Sequence, residues 1–267
     1  MPGIFSRDGF LLFSHRGGAG LFPENTLYAF ERSVLRYGAD AVELDIHMSR
    51  DGELIVIHDD TLDRTTNGSG RVYEKTAAEI KRYDAGYRFT KDDGRTWPFR
   101  GKGLTVPLLS EVFMRLKPYK AGINIDIKEP YPGIEQKLYK LITGLGMMDR
   151  VLVNSGHPCV LKRFRMLNEA GIPTGADALD CLGALVLSGL KLDRLYATAA
   201  QALQVPLRFK GKIRVVTRDL IRLCREKKLK LHVWTLNDTR DMEEMLSLGV
   251  DGIMTDYPDR LCRLVKR

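Results

Sequence analysis

Two short stretches of this chain carry the side chains that metal and phosphate chemistry requires. His15 and Arg16 follow a short apolar run, and further along Glu43, Asp45 and His47 alternate with apolar residues. Successive side chains of a strand point to opposite faces, so these last three side chains share one face. Two carboxylates therefore point the same way.

A third stretch repeats this alternation. Asn124, Asp126 and Lys128 occupy one face of a predicted strand, and three isoleucines occupy the other. Oxygen ligands are the ones that Mg2+ and Ca2+ prefer in proteins, and a cationic side chain beside them attracts an anion. Together the three stretches predict a divalent-metal site that also holds an anion.

The length and charge of the chain limit its class. The 267 residues match the roughly 250 typical of one (β/α)8 barrel, so a single domain spanning residues 1–267 is expected. Lys and Arg number 42 against 34 Asp and Glu, and this net charge of +8 favours an anionic partner. The basic residues run from Arg7 to Arg267 without a recognised nucleic-acid-binding motif, so nucleic acid is not expected as a partner.

Cysteine usage and hydropathy bear on the compartment. The four cysteines lie far apart without a C-x-x-C pair, which is typical of buried thiols in a reducing compartment. No stretch approaches transmembrane length, and the apolar run at residues 9–13 is too short for a signal-peptide core. The sequence therefore predicts a cytoplasmic protein without a transmembrane segment, and it leaves the oligomeric state open.

Short apolar strands alternate with amphipathic helical stretches almost to the end of the chain. The predicted strands cover residues 11–14, 41–46, 122–127, 151–154, 173–175, 202–205, 230–235 and 252–254. Strands that alternate with helices form a parallel sheet, and eight such units favour an α/β fold of the TIM (β/α)8 barrel type over an open doubly wound sheet. The first helix is expected at residues 26–37, with Asn25 capping its first turn.

Residues 59–107 break this rhythm. They mix glycines with aromatic residues, among them Tyr87, Phe89, Trp97 and Phe99, and they are too numerous for an ordinary loop. An extra strand that ends on His58 precedes them. We therefore expect a small inserted subdomain at residues 59–107, after the second barrel strand.

Functional side chains of a parallel barrel lie at the carboxyl ends of its strands. That rule gathers at one mouth the residues His15, Arg16, Glu43, Asp45, Asp126, Lys128 and Trp234. Because Trp234 ends a predicted strand, we expect it to form a wall of the substrate site. His47, His157 and His232 are expected to have supporting or structural roles.

The motifs that carry these residues resemble those of the glycerophosphodiester phosphodiesterase family, over nearly the whole chain. The matching stretches are His15-Arg16-Gly17-Gly18, Pro23-Glu24-Asn25-Thr26, Glu43-Leu44-Asp45, His58-Asp59, Arg64-Thr65-Thr66, Asp126-Ile127-Lys128, Trp234-Thr235-Leu236-Asn237 and the run G-V-D-G-I-M-T-D-Y-P at 249–258. The first two motifs and the last are specific in combination, whereas each alone would be weak.

This resemblance implies a TIM barrel that hydrolyses a phosphodiester with one divalent metal ion, Mg2+ or Ca2+. It implies that Glu43, Asp45 and Asp126 bind the metal. His15 and His58 would be the acid–base pair. Arg16 and Lys128 would hold phosphate oxygens. The third carboxylate is usually glutamate in this family, and the shorter aspartate here alters the expected metal geometry.

The resemblance further implies a small-molecule glycerophosphodiester substrate, cleaved to sn-glycerol 3-phosphate and an alcohol. A lysophospholipase D would keep the same site and admit an acyl chain, so a lysophospholipid is an alternative substrate. An inactive barrel that only binds phosphorylated ligands is a further alternative, against which the intact histidines and carboxylates argue.

Overall fold

The computed structural model describes residues 3–266, and its strands and helices alternate as the sequence predicts. The strands are β1 (Leu11–Ser14), β2 (Ala41–Met48), β3 (Leu54–Val56), β4 (Gly122–Ile127), β5 (Val151–Asn154), β6 (Ala202–Pro206), β7 (Arg208–Phe209), β8 (Ile213–Arg214), β9 (Lys230–Trp234) and β10 (Gly252–Thr255). The helices are α1 (Leu27–Tyr37), α2 (Ala77–Ile80), α3 (Leu109–Leu116), α4 (Ile134–Gly144), α5 (Pro158–Leu167), α6 (Ala178–Gly189), α7 (Arg218–Glu226), α8 (Thr239–Leu248) and α9 (Pro258–Leu264).

Parallel strands curl into a barrel in the order β5-β4-β2-β1-β10-β9-β6. Residues 173–175 lie between β5 and β6 at the two ends of this order. They do not form the regular strand that the sequence predicts, but Thr174 pairs in parallel with Val153 and Gly175 with Ala202. The Gly175 amide donates to the Val153 carbonyl at 2.9 Å, and a Cβ at Gly175 would overlap the Asn154 amide. The predicted TIM barrel is therefore confirmed, with a short bridging segment in the eighth position.

The alternation along β2 separates a core face from a polar face. Val42, Leu44 and Ile46 are fully buried and pack with residues of α1 and α3, whereas Glu43 and Asp45 point to the other side of the strand. β4 follows the same rule, because its three isoleucines belong to the same apolar cluster. The hydrophobic layer between strands and helices thus fixes the direction of the polar side chains.

The first helix begins one residue later than expected, and the expectation that Asn25 caps it is wrong. Thr26 has extended backbone angles, and its hydroxyl accepts the Ala29 amide hydrogen at 3.2 Å. Asn25 instead has a positive φ of 55°, and its side-chain amide donates a hydrogen bond to Asp45.

The segment between β3 and α3 has an apolar cluster of its own. β3 pairs antiparallel with β2, and Ile57, Leu62, Val72 and Ile80 pack together beyond it. α2 begins with a capping box formed by Thr76 and Glu79. We propose on this basis that residues 59–107 form an inserted subdomain.

No helix within residues 3–266 combines the length and the apolar character needed to cross a membrane.

One histidine is sealed inside the barrel. His232 on β9 is fully buried against Phe13, with 4.7 Å between the ring centroids. Its Nδ1 lies 3.1 Å from the Gln204 amide nitrogen, which can donate to it, and its Nε2 has no hydrogen-bond partner among residues 3–266. Burial and the nearby Lys230 lower the pKa of His232 to about 3.

This burial predicts a pH-dependent loss of stability. Below the ordinary histidine pKa of 6.5 and down to about 3, the unfolded chain takes up a proton on His232 and the folded chain does not. The free energy of unfolding should therefore fall with decreasing pH by about 1.4 kcal/mol per unit from this residue. The free energy of unfolding, measured with urea between pH 7 and 4, should fall less steeply with pH for His232→Gln than for the parent protein. An equal pH dependence in the two proteins would contradict the lowered pKa of His232.

Candidate active site

The carboxyl ends of the barrel strands bring together most of the predicted site residues. Hydrogen bonds and ion pairs within 4 Å link His15, Arg16, Glu43, Asp45, Asp126 and Lys128. His58 follows β3 and joins this network through Asp59, Arg64 and Glu24. Trp234 ends β9 with 41% of its surface exposed and lies outside the hydrogen-bonded network, so its role as a substrate wall stays a prediction.

The turn after β1 takes an uncommon backbone conformation. Arg16 has a φ of 50° and Gly17 a φ of 82°, and a Cβ on Gly17 would lie 2.8 Å from the Ala29 Cβ. Glycine is thus required beside the helix, while Arg16 is held in a strained conformation of the kind that clusters at functional sites. The result is that the Arg16 backbone amide donates to Glu43 Oε2 at 3.0 Å.

Asn25 ties the loop before α1 to the carboxylate strand. Its side-chain amide donates to Asp45 Oδ2 at 2.9 Å, and its backbone amide donates to the Arg16 carbonyl at 2.9 Å. These contacts explain the last three residues of the Pro-Glu-Asn-Thr motif. Asn25 holds Asp45, Thr26 caps the helix, and Glu24 forms an ion pair with Arg16 at 3.1 Å.

His15 is oriented by a carboxylate at the end of β10. Its Nδ1 lies 2.7 Å from Asp256 Oδ1, and the Asn237 amide donates to the other oxygen of Asp256 at 2.7 Å. The Nε2 of His15 faces Glu43 at 3.9 Å. Burial disfavours the protonated ring, but the negative charges of Glu43 and Asp256 outweigh this effect and raise the pKa of His15.

His58 is held in the same manner by its neighbour in sequence. Its Nδ1 lies 2.7 Å from Asp59 Oδ1, and Arg64 donates to Asp59 Oδ2 at 2.6 Å. Arg64 also forms a two-pronged pair with Glu24, at 2.7 and 2.8 Å. The His58 carbonyl accepts a hydrogen bond from His47 Nε2 at 3.0 Å. Both predicted acid–base residues thus have Nδ1 fixed by an aspartate, which leaves Nε2 on the opposite side of the ring from that aspartate.

Two carboxylates lie buried at the centre of this network. Burial, with Asp45 close by, raises the pKa of Glu43. Burial would raise the pKa of Asp45 as well, but Lys128 at 3.3 Å and Arg16 at 3.4 Å outweigh it and lower the pKa. The two carboxylates therefore differ, since the cations beside Asp45 outweigh the effect of burial on its pKa, whereas His15 and Arg16 beside Glu43 do not.

The charge of the site fits a bound cation. Among the groups joined by these ion pairs are the carboxylates of Glu24, Glu43, Asp45, Asp59, Asp126 and Asp256, against the permanent cations Arg16, Arg64 and Lys128. A phosphodiester adds a further negative charge. Glu43 and Asp45 are the buried members of this set, and the others are partly exposed. A divalent cation would compensate the excess of negative charge and would find here the oxygen ligands that it prefers.

The three predicted metal ligands do not meet at a single point. Asp45 on β2 and Asp126 on β4 are partners in register, but the Lys128 ammonium lies between them, 3.3 Å from Asp45 and 3.0 Å from Asp126. Across residues 3–266, no three His, Cys, Asp or Glu side chains are grouped as metal ligands. The metal-ligand set of Glu43, Asp45 and Asp126 therefore stays a prediction.

The sequence patterns predicted no orienting role for several residues of the site, and for Asn25 they predicted only the cap of a helix. Asp256, Asp59 and Arg64 fix the two histidines, and Asn25 fixes Asp45. All four lie inside the motifs that carry the family resemblance, so their positions were visible in the sequence. Their partners were not, because the contact between His15 and Asp256 joins residues 241 positions apart.

Comparison with known proteins places this site in a family. The profile of the glycerophosphoryl diester phosphodiesterase family matches residues 15–260. This range contains every predicted site residue. The chain belongs to the glycerophosphoryl diester phosphodiesterase family, and its activity is the hydrolysis of glycerophosphodiesters.

Individual relatives agree with this assignment. A glycerophosphodiester phosphodiesterase of Caldanaerobacter subterraneus subsp. tengcongensis is 36% identical, over 96% of this chain and 98% of its own. The human protein named lysophospholipase D GDPD1 is 27% identical, over 93% of this chain and 83% of its own. The crystal structure of a glycerophosphodiester phosphodiesterase from Agrobacterium tumefaciens has a TM-score of 0.75 at 28% identity, and it covers 95% of this chain and 99% of that one.

The contact between His15 and Asp256 predicts a positioning role for Asp256. Asp256→Asn keeps the size of the side chain but removes the charge that fixes the His15 ring. We expect kcat for a glycerophosphodiester to fall by about tenfold to a hundredfold with little change in KM. The histidine ring signals in an NMR spectrum should show a changed tautomer or protonation state of His15.

Asp251→Asn is the matched control for this variant. Asp251 precedes β10 at the opposite end of the barrel, where its carboxylate accepts the Leu231 amide hydrogen at 2.9 Å. The control should keep the parent kcat. A loss of the same size in both variants would mean that Asp256 only stabilises the fold.

Proposed function

We propose that this protein cleaves glycerophosphodiesters to sn-glycerol 3-phosphate and an alcohol, with His15 and His58 as the acid–base pair. The observation that carries this proposal is the matched setting of the two histidines. Each has Nδ1 held at 2.7 Å by a carboxylate at the same barrel mouth. A histidine fixed in this way presents Nε2 for proton transfer.

The two histidines suit opposite halves of a phosphodiester cleavage. One Nε2 takes a proton from the attacking oxygen, which belongs to water or to the glycerol hydroxyl of the substrate. Attack by that hydroxyl gives a cyclic phosphate, which water then opens to glycerol 3-phosphate. The other, protonated, donates to the departing alcohol. The pH–rate profiles of the single-histidine variants decide which is acid and which is base.

Arg16 and Lys128 are the proposed contacts of the phosphate. Arg16 has a planar guanidinium that can donate two parallel hydrogen bonds to phosphate oxygens, and Lys128 provides a point charge. Both already lie beside Asp45, so they approach the phosphate from the side of the buried carboxylates. Their position supports binding of an anion in front of Glu43 and Asp45.

Glu43, Asp45 and Asp126 are the proposed ligands of one Mg2+ or Ca2+ ion. When bound, the ion would neutralise charge on the non-bridging phosphate oxygens and orient the phosphorus. The excess of carboxylates over permanent cations supports this assignment.

The cytoplasmic location expected from the sequence stays a prediction.

Lysophospholipase D activity is the second candidate. Residues of the proposed subdomain, among them Arg64, Arg88, Phe89 and Thr90, line a cavity of about 160 Å3 together with Glu24. Phe89 gives this cavity an apolar wall next to the ion pairs that hold His58. The human relative bears the lysophospholipase D name, which also favours testing an acylated substrate. An inactive phosphate-binding barrel is disfavoured by the complete set of histidines and carboxylates.

The decisive experiment is an assay of the purified protein with glycerophosphocholine and, in parallel, lysophosphatidylcholine. We expect turnover of the first, and His15→Ala and His58→Ala should each lower kcat by about a hundredfold to ten-thousandfold. The control is His157→Gln, which can retain the hydrogen bond that His157 Nε2 donates to the Lys128 carbonyl at 3.0 Å. Near-normal turnover by His58→Ala would refute the two-histidine mechanism, and faster turnover of the acylated substrate would favour the second candidate.

Metal dependence is tested by removal and return of the ion. Protein treated with a chelator should lose turnover of glycerophosphocholine and regain it with Mg2+ or Ca2+. Asp126→Ala should weaken binding of the ion in a calorimetric titration, with an unchanged circular dichroism spectrum. Full turnover by metal-free protein would exclude a metal role in this activity, and parent-like ion affinity in Asp126→Ala would remove Asp126 from the ligand set.

A further inference from the structure

A small hairpin of strands β7 and β8 extends from the mouth side of the barrel. It follows the carboxyl end of β6, whose last residue, Pro206, is in register with Trp234. Leu207 and Val215 anchor its base, since both are buried and the Val215 amide donates to the Leu207 carbonyl at 3.0 Å. The hairpin therefore leaves the barrel at the end that carries the candidate active site.

The tip of the hairpin presents two large apolar side chains to solvent. Phe209 and Ile213 lie directly opposite each other and are 52% and 60% exposed. Lys210 and Gly211 both have positive φ, at 48° and 69°, and the Lys212 amide donates to the Phe209 carbonyl at 3.1 Å, which closes the turn. Opposed residues project from one face of a hairpin, so the two apolar side chains form a single exposed pair.

Positive charge surrounds this pair. Arg208, Lys210, Lys212 and Arg214 lie within the same seven-residue stretch, and Arg208 is directly opposite Arg214, an arrangement of like charges that destabilises a hairpin. Arg214 forms an ion pair with Glu244 at 2.7 Å. For Arg208, Lys210 and Lys212 there is no acidic partner among residues 3–266. The Lys210 ammonium approaches the Phe209 ring, 5.6 Å from its centroid, but this contact leaves the apolar pair exposed and the positive charge without an acidic partner.

An anionic surface with an apolar layer just beneath it would bind both the exposed apolar pair and the positive charge around it. We propose that the hairpin 207–215 docks on a bilayer that contains anionic lipid, with Phe209 and Ile213 entering the boundary between headgroups and acyl chains. The cationic side chains would lie among the lipid phosphates, where each Lys or Arg adds attraction. Docking here turns the barrel mouth and Trp234 towards the lipid surface. The proposal does not depend on the chemistry of the active site.

Vesicle cosedimentation tests the proposal directly. The parent protein should pellet with vesicles made of equal parts phosphatidylcholine and phosphatidylglycerol, much less with phosphatidylcholine alone, and less as salt is raised. Lys210→Glu with Lys212→Glu should lower the partition coefficient by at least about twentyfold. Phe209→Ser with Ile213→Ser should lower it by about tenfold without changing the net charge.

Matched controls come from other exposed positions of the chain. Leu190→Ser with Leu195→Ser removes two apolar side chains that are 63% and 69% exposed at and after the end of α6. Lys120→Glu with Lys162→Glu makes the same change of net charge at exposed sites outside the hairpin. Both controls should bind vesicles as the parent protein does.

Four results would overturn the proposal. Three are that the parent protein binds equally well with and without phosphatidylglycerol, that the variant with Phe209→Ser and Ile213→Ser binds like the parent, and that the controls lose as much binding as the hairpin variants. The fourth is binding to duplex DNA through Lys210 and Lys212 without binding to vesicles. The hairpin variants should hydrolyse water-soluble glycerophosphocholine at the parent rate. An inactive parent that still binds these vesicles would count against the proposed function and not against docking.

Discussion

The burial of two carboxylates on one strand is the constraint on which the rest of the site depends. Glu43 and Asp45 leave water because β2 places its apolar face against the helices and its polar face inside the barrel mouth. Buried carboxylates need donors or cations. The Arg16 backbone amide donates to Glu43, the Asn25 side chain donates to Asp45, and the Lys128 ammonium lies beside Asp45. Arg16 and Asn25 both have positive φ, and their contacts with the carboxylates offset the cost of that backbone conformation.

The histidines extend this network outwards. His15 lies between Glu43 and Asp256, and His58 is linked through Asp59, Arg64 and Glu24 to Arg16, which contacts Asp45. A substitution in the loop of Arg64 therefore reaches the carboxylates through a chain of charged hydrogen bonds. Such a network holds side chains in place more rigidly than isolated surface pairs do, because some of its carboxylates have partners on separate loops. Asp45 contacts Asn25 and Lys128, and Asp256 contacts His15 and Asn237.

The periodicity of the sequence predicted the features that depend only on which face of a strand each side chain occupies. The alternation along β2 and β4, and the gathering of residues at one mouth, follow from strand geometry and from parallel pairing. Contacts between residues far apart in the sequence were beyond reach: that residues 173–175 bridge two strands without forming one, that Asn25 contacts Asp45 and leaves the cap of α1 to Thr26, and that Asp256 holds His15. In each case the deciding partner is a neighbour in space that no periodicity marks.

Asp45 and Asp126 share the ammonium of Lys128. Their Cα atoms are register partners on β2 and β4, and the ammonium lies 3.3 Å from Asp45 and 3.0 Å from Asp126. Lys128 and a divalent cation bound at Asp45 and Asp126 would therefore compete for the same oxygens. If the cation displaced the ammonium of Lys128 from these oxygens, the charge of the ammonium would become free to pair with a phosphate oxygen. The shared ammonium would thus couple the position of the proposed phosphate ligand to the occupancy of the proposed metal site.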